Sequence, residues 1–205
     1  LAGTLVMGDP AAPAPRPKDE VKAMLRNTPQ VEALRAAGRL RVIDTYTSED
    51  GAPGWVLVRG DESALAAAAP ATTSAGVPRR VADKIFLRTR TIDTARGSTP
   101  AQRARAGSGR LEIVQFHGPI KKEWLKTMRG NGRDRPIAYL PENAYIVWLE
   151  DPQLPGGAGL PIQWREEFSS LDRLSPDLIS TPDPVDVTVM VARVGDHDEV
   201  MSEIR

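Results

Sequence analysis

Side chains able to move a proton, attack a carbonyl or hold a metal are few in these 205 residues, and they are scattered. Cysteine is absent, and there are two histidines, His117 and His197. A histidine base works only beside a nucleophile and an orienting acid. His117 ends a strand-like run just before Gly118-Pro119, and His197 stands where a helix starts, so both read as surface or capping residues rather than bases. Asp196-His197-Asp198-Glu199 is the one cluster with metal-ligand chemistry. As a helix N-terminus its acids already have an electrostatic reason to be there, so a calcium or zinc role ranks second. Gly156-Gly157-Ala158-Gly159 lacks the Lys-Ser/Thr and the strand–helix setting of a phosphate loop. The sequence therefore predicts no catalytic residue, no metal and no cofactor in this chain.

Composition narrows the class further. The 27 basic and 27 acidic residues cancel. A balanced chain gives no electrostatic reason to expect nucleic acid or an anionic membrane as partner. No apolar run approaches the roughly 20 residues of a spanning helix. Lack of cysteine fits export without disulfides as well as it fits the cytosol. Residues 1–8 are too short for a signal peptide and have no basic start, and would suit the remainder of a removed leader. An apolar fraction of 40% supports packed cores, while 18 Pro and 17 Gly predict many turns and linkers. The length allows one large or two to three small domains.

The elements that must carry any site follow from periodicity and breakers. Residues 9–17, with four prolines, read as an extended spacer. Residues 18–25 and 30–37 are helix-prone; Val31 and Leu34 share a face and Gly38 sits at a stop. Strands are expected over 39–47 and 55–59 with a turn at 48–54. Asp61-Glu62-Ser63 opens an Ala-rich helix that Pro70 stops, 71–80 reads as loop, and 84–90 as a strand. Arg96, Arg103, Arg105 and Arg110 sit among small residues in a basic stretch, either a plain solvated connector or a processing segment. Next come a strand over 111–117 and a helix with Ile120, Trp124 and Met128 on one face. Strands over 135–140 and 144–149 flank a turn at 141–143. Three Pro and three Gly in 151–161 forbid a second helix there, and 161–164 is a short strand. A strand over 185–194 and a helix start over 196–205 end the chain.

This order predicts an α+β fold: tandem ferredoxin-like (split βαβ) units with antiparallel sheets, the last unit incomplete. The expected divisions are a Pro-rich leader and helix over 1–29, a first unit over 30–92 and a basic linker over 93–109. A second unit lacking its second helix covers 110–168, a linker 169–184, and the start of a third unit 185–205.

Strands 111–117 and 144–149 are apolar on both faces. Helices cover only one face of an open antiparallel sheet, and the other is normally polar. Val114, Phe116, Ile146 and Trp148 are therefore candidate partner-docking residues. The competing reading is that neighbouring units of the same chain stack over that face.

Residues 113–147 also carry a resemblance. Ile113-Val114-Gln115-Phe116-His117-Gly118-Pro119-Ile120, Glu123-Trp124-Leu125, and Ile137-Ala138-Tyr139-Leu140-Pro141-Glu142-Asn143-Ala144-Tyr145-Ile146-Val147 resemble the N-terminal prodomain region of bacterial subtilisin-like serine proteases. Residues 84–94, 174–178 and 184–189 are similar to the flanking segments of that group. The resemblance implies a prodomain that acts as folding chaperone and inhibitor of a subtilisin-like catalytic domain of the same precursor, in a secreted or periplasmic setting. Val42-Ile43-Asp44-Thr45 is similar to the family's aspartate strand, but no His-Gly-Thr or Gly-Thr-Ser-Met-Ala segment accompanies it, so Asp44 reads as an ordinary strand residue. Under this reading Arg103, Arg105 and Arg205 are possible processing positions. The alternative is a non-catalytic tandem ferredoxin-like module for protein interaction or assembly.

Overall fold

In a computed structural model of the chain, Val21–Arg26 (β1) runs through the interior of an antiparallel sheet. The structure describes residues 20–47, 51, 53–69, 79–95, 110–129, 135–150, 159–180, 184, 186–189 and 202. The helix expected over 18–25 is thus corrected where the structure describes it: Val21 to Leu25 belong to a strand. Its sequence, VKAMLR, is made of good helix formers. Tertiary pairing overrides that propensity: β1 pairs along its whole length with Pro53–Gly60 (β3), and on its other side with Arg79–Arg80 (β4).

Pro29–Ala36 (α1) follows, with Thr28 capping the Val31 N–H and Pro29 in the first turn. Gly38, at φ 71°, ends that segment in a conformation that favours glycine. Arg41–Thr47 (β2) and β3 form a hairpin, and Glu62–Ala68 (α2) is capped by the Asp61 carboxylate at 2.7 Å from the Ala64 N–H. Hydrogen bonds from Ser63 and from the backbone hold the Asp61 carboxyl below its usual range. The sheet order is β2-β3-β1-β4. Ala23, Leu25, Val56 and Val58 bury one face under Val31 and Leu34 of α1 and Leu65 of α2.

The second sheet contains Arg110–Phe116 (β7), Arg135–Leu140 (β8), Ala144–Leu149 (β9) and Ile162–Glu167 (β10), ordered β10-β7-β9-β8. Within each sheet the first strand of the unit lies between the third and the fourth. Lys122–Met128 (α3) covers one face. Its expected apolar stripe is in place: Met128 is buried, Ile120 and Trp124 pack on Val114, Phe116, Val147 and Leu149, and the Trp124 ring stacks on Phe116 at 5.4 Å.

The α+β class with antiparallel sheets stands, but the unit boundaries move. The first sheet begins at Val21, inside the stretch assigned to a leader, and closes with β4, inside the stretch assigned to loop. Residues 84–90 are not its last strand. They give Lys84–Phe86 (β5), which turns back to pair with Thr91–Asp93 (β6). This hairpin sends Ile85 and Ile92 onto Ile113, Ala144 and Trp164 of the second sheet, so it belongs to the second unit rather than to 30–92. The expected linker 169–184 contains two short helices, Ser170–Arg173 (α4) and Pro176–Ser180 (α5). Of the basic stretch, residues 96–109 lie outside the described residues, while Arg110 is buried at the start of β7 and ion-paired with Glu112. Residues 151–158, expected to replace a helix, also lie outside them. So does most of the expected third unit; its described residues 186–189 are in no strand. Among the described residues no helix is long and apolar enough to cross a membrane.

Candidate functional site

Strand parity separates the four residues expected to form one docking face. Ile113 faces Ile146 and Val114 faces Tyr145 in the β7–β9 register. Adjacent residues of a strand point to opposite faces. Val114 and Phe116 therefore lie on the α3 face, and Ile146 and Trp148 on the other. Val114 and Phe116 are wholly buried core residues, which removes them as a docking surface. Ile146 is also buried. Trp148 alone is only partly buried, and its Nε1 is buried without a hydrogen-bond partner among the described residues. The apolar second face is covered in part by the β5–β6 hairpin of the same chain, so here stacking within the chain prevails over an open docking face. Arg103, Arg105, Arg205 and His197 lie outside the described residues. His117 is half-buried, and its backbone N–H donates to the Pro161 carbonyl at 3.0 Å.

The polar side chains that the structure brings together lie where the two sheets meet. Lys22 and Arg59, on the face of the first sheet away from its helices, are buried. The Lys22 Nζ lies 2.7 Å from Asp83 Oδ1 and donates to Gln163 Oε1, also at 2.7 Å. Arg59 reaches Asp83 Oδ2 at 3.4 Å. Gln163 Nε2 donates to Asp83 Oδ1 at 2.7 Å, with Thr94 Oγ1 and Gln115 Oε1 at 3.1 and 3.2 Å. Gln115 Nε2 then donates to the carbonyls of Glu142 and Lys84. Burial opposes ionisation of Asp83, but the charges of Lys22 and Arg59 and the Gln163 amide outweigh it and hold its carboxyl below the usual range. A buried ion pair persists only when its other valences are filled this way.

A second contact lies along the same seam. Lys121, just before α3, donates to Asp44 Oδ1 at 2.8 Å and to the Thr45 carbonyl at 2.9 Å. Its ammonium stands 4.7 Å from the Tyr46 ring centre and 5.3 Å from that of Trp124. Asp44 is thus an anchor between units. Burial first, and the Asp44 charge second, push the Tyr46 hydroxyl well above its ordinary range, so it stays protonated. Gly118 fits between the sheets because it has no side chain: a Cβ there would meet Leu57 Cδ2 at 2.6 Å and Tyr46 Oη at 2.9 Å.

Beside these anchors an open groove of about 740 Å³ separates the units. Met24, Tyr46, Trp55 and Val81 of the first unit face Pro119, Tyr139, Pro141, Glu142 and Asn143 of the second, with Arg80 also in the lining. Arg26 lies over the Trp55 ring at 4.7 Å. Glu142 and Asn143 both have positive φ, 68° and 62°. Asn tolerates that region; for Glu it costs energy and is sustained by surrounding contacts. Here one is the Gln115 bond to the Glu142 carbonyl. Among the described residues no three His, Asp or Glu side chains are placed to hold a metal ion.

The sequence reading passed over Lys22, Arg59, Gln115 and Gln163. The available signal was a polar residue at an inward position of an apolar strand, as Gln115 is between Val114 and Phe116.

Residues 86–168 match a family described as a domain of unknown function (DUF8729). That span runs from the last residue of β5 through β10, which is the second unit together with most of its covering hairpin. No curated protein and no solved structure matches the chain.

Proposed function

We propose that this chain is the prodomain region of a subtilisin-like protease, serving as folding chaperone and then inhibitor of that catalytic domain. The observation that carries the reading is where the resembling residues fall. Val114, Phe116, Trp124 and Val147 pack into one core, while Pro119, Pro141 and Asn143 set the turns that face the first unit. The resemblance thus rests on residues that build and orient the second unit, as a shared fold requires. Both units are ferredoxin-like in this reading, and the setting is secreted or periplasmic. Docking uses groups outside the core: Tyr139, 56% exposed, Phe86, 51% exposed, and the partly buried Trp148.

The test uses the cognate catalytic domain. Its refolding yield should rise when this chain is present, and its activity should fall in slow-onset fashion. If neither changes, the prodomain reading fails. The second reading, a non-catalytic interaction or assembly module, is favoured by the open aromatic groove between the units, and would stand in that event.

A further inference from the structure

The two units meet through polar groups rather than through a shared apolar core. Among the described residues each apolar cluster lies within one unit: those around Leu25 and Leu57 in the first, those around Phe116 and Ile85 in the second. Where Leu57 approaches the second unit it meets Gly118, which has no side chain to add. Polar junctions of this kind within one chain permit relative motion of the parts they join.

The chain passes between the sheets through Val81, Ala82 and Asp83, from the end of β4 to the start of β5. Val81 is fastened to the first unit, its N–H donating to the Lys22 carbonyl at 2.9 Å. The backbone of Asp83 is fastened to the second, its carbonyl accepting from the Thr94 N–H at 2.9 Å. Ala82 stands between the two fastenings. The Asp83 side chain then reaches back to the first sheet, with Lys22 of β1 at 2.7 Å and Arg59 of β3 at 3.4 Å. Gln163 of β10 holds the same carboxylate from the second unit at 2.7 Å. Asp93, the acid beside Thr94, is exposed and accepts from the Ala95 N–H, so it does not duplicate this role.

We infer that Ala82 is a hinge and the Asp83 carboxylate its latch: protonating Asp83 lets the two units swing apart while each sheet keeps its fold. The side chains of Lys22 and Arg59 are only 1% and 2% exposed, so a neutral Asp83 leaves two buried cations without its charge, and opening returns them to water. Asp83 itself is 19% exposed, which gives a proton access. The other anchor, Lys121 on Asp44, is 26% and 24% exposed, so water already weakens it. Burial works against the charged form of Asp83, yet the Lys22 and Arg59 charges hold its carboxyl below the usual range. Its unfolded value is about 3.9. The latch is therefore complete above that value and is released as pH falls through the lower folded one. This device does not depend on the prodomain reading.

The chain has no cysteine, so Glu32→Cys on α1 and Lys126→Cys on α3, both exposed positions, give two sites for nitroxide labels. Double electron–electron resonance reads the distance between them, and far-UV circular dichroism reads the sheets. Below about pH 4 a longer, broader distance population should become the majority before the sheet signal falls, and should vanish on return to neutral pH. Gln163→Leu should move the opening to higher pH, because it removes a bond that favours the charged carboxylate. Asp83→Asn should be open already at neutral pH, with no further change in acid. Asp44→Asn should leave the pH of opening where it is. Distances that hold until the sheet signal is lost overturn the inference, and the parent chain decides this even if Asp83→Asn does not fold. So does an opening whose pH moves with Asp44→Asn and not with Gln163→Leu.

Discussion

Lys22 in β1 and Gln163 in β10 are 141 residues apart and share a buried hydrogen bond of 2.7 Å. Through Asp83, Arg59 and Gln115 this bond joins the first sheet to the second. Lys22→Met should therefore destabilise the chain by about 3–5 kcal/mol, because it leaves Asp83 with a weakened partner set inside the protein. Urea unfolding of Lys22→Met, Gln163→Leu and the double variant should give a coupling energy of about 0.5–3 kcal/mol. Additive losses would mean the bond contributes nothing to joining the units.

Close approach at Gly118 offers a sharper probe. Gly118→Ala places a methyl within 2.6 Å of Leu57 Cδ2 and 2.9 Å of the Tyr46 hydroxyl. The overpacking should cost about 1–3 kcal/mol. Tyr46→Phe in the same chain removes the hydroxyl and should recover part of the loss, as thermal unfolding would show. No loss in Gly118→Ala would mean that the sheets do not approach this closely in solution.

Phe116→Ala should behave as a core deletion. Phe116 is fully buried and stacks on Trp124, so the expected loss is about 3–5 kcal/mol. Binding to a partner should change only as far as the fold is lost. Trp148→Asp differs: the ring is only partly buried, so the fold should lose less than in Phe116→Ala, and any partner binding at that edge should fall. Calorimetry together with a binding assay separates the two outcomes.

Much of this could be read from the chain, and the failures have specific causes. The 3.6-residue stripe of Ile120, Trp124 and Met128 and the Asp61 cap were legible, because their signals are local. Strand β1 was not legible, because Val-Lys-Ala-Met-Leu-Arg favours a helix until a partner strand is present on each side. The docking quartet failed for a related reason. Apolar residues on both faces of a strand announce burial on both sides, but not what does the burying, and here Ile85 and Ile92 of a distant hairpin do it. The Lys22–Asp83–Gln163 cluster is assembled from three separate regions, so no window of sequence contains it.

Acid should loosen the α4 anchor. Burial opposes ionisation of Asp172, but hydrogen bonds from Arg90, Ser169 and Thr89 outweigh it and hold its carboxyl at about 2. In the unfolded chain the same group titrates near 3.9. A depressed folded value means that its stabilisation is complete above the unfolded value and disappears as pH falls from about 4 to about 2. Melting temperature should drop across that window in the parent chain and drop less in Asp172→Asn, which should already be less stable at neutral pH. Parallel pH profiles would remove Asp172 as the cause.

The most direct measurement of the central proposal is a progress curve of the cognate subtilisin-like catalytic domain, recorded with increasing amounts of this chain. The prodomain account predicts a curve that bends slowly to a lower steady rate, with Trp148→Asp weakening the effect while the fold persists. Straight, superimposable curves at all concentrations, with no rescue of refolding, would contradict it.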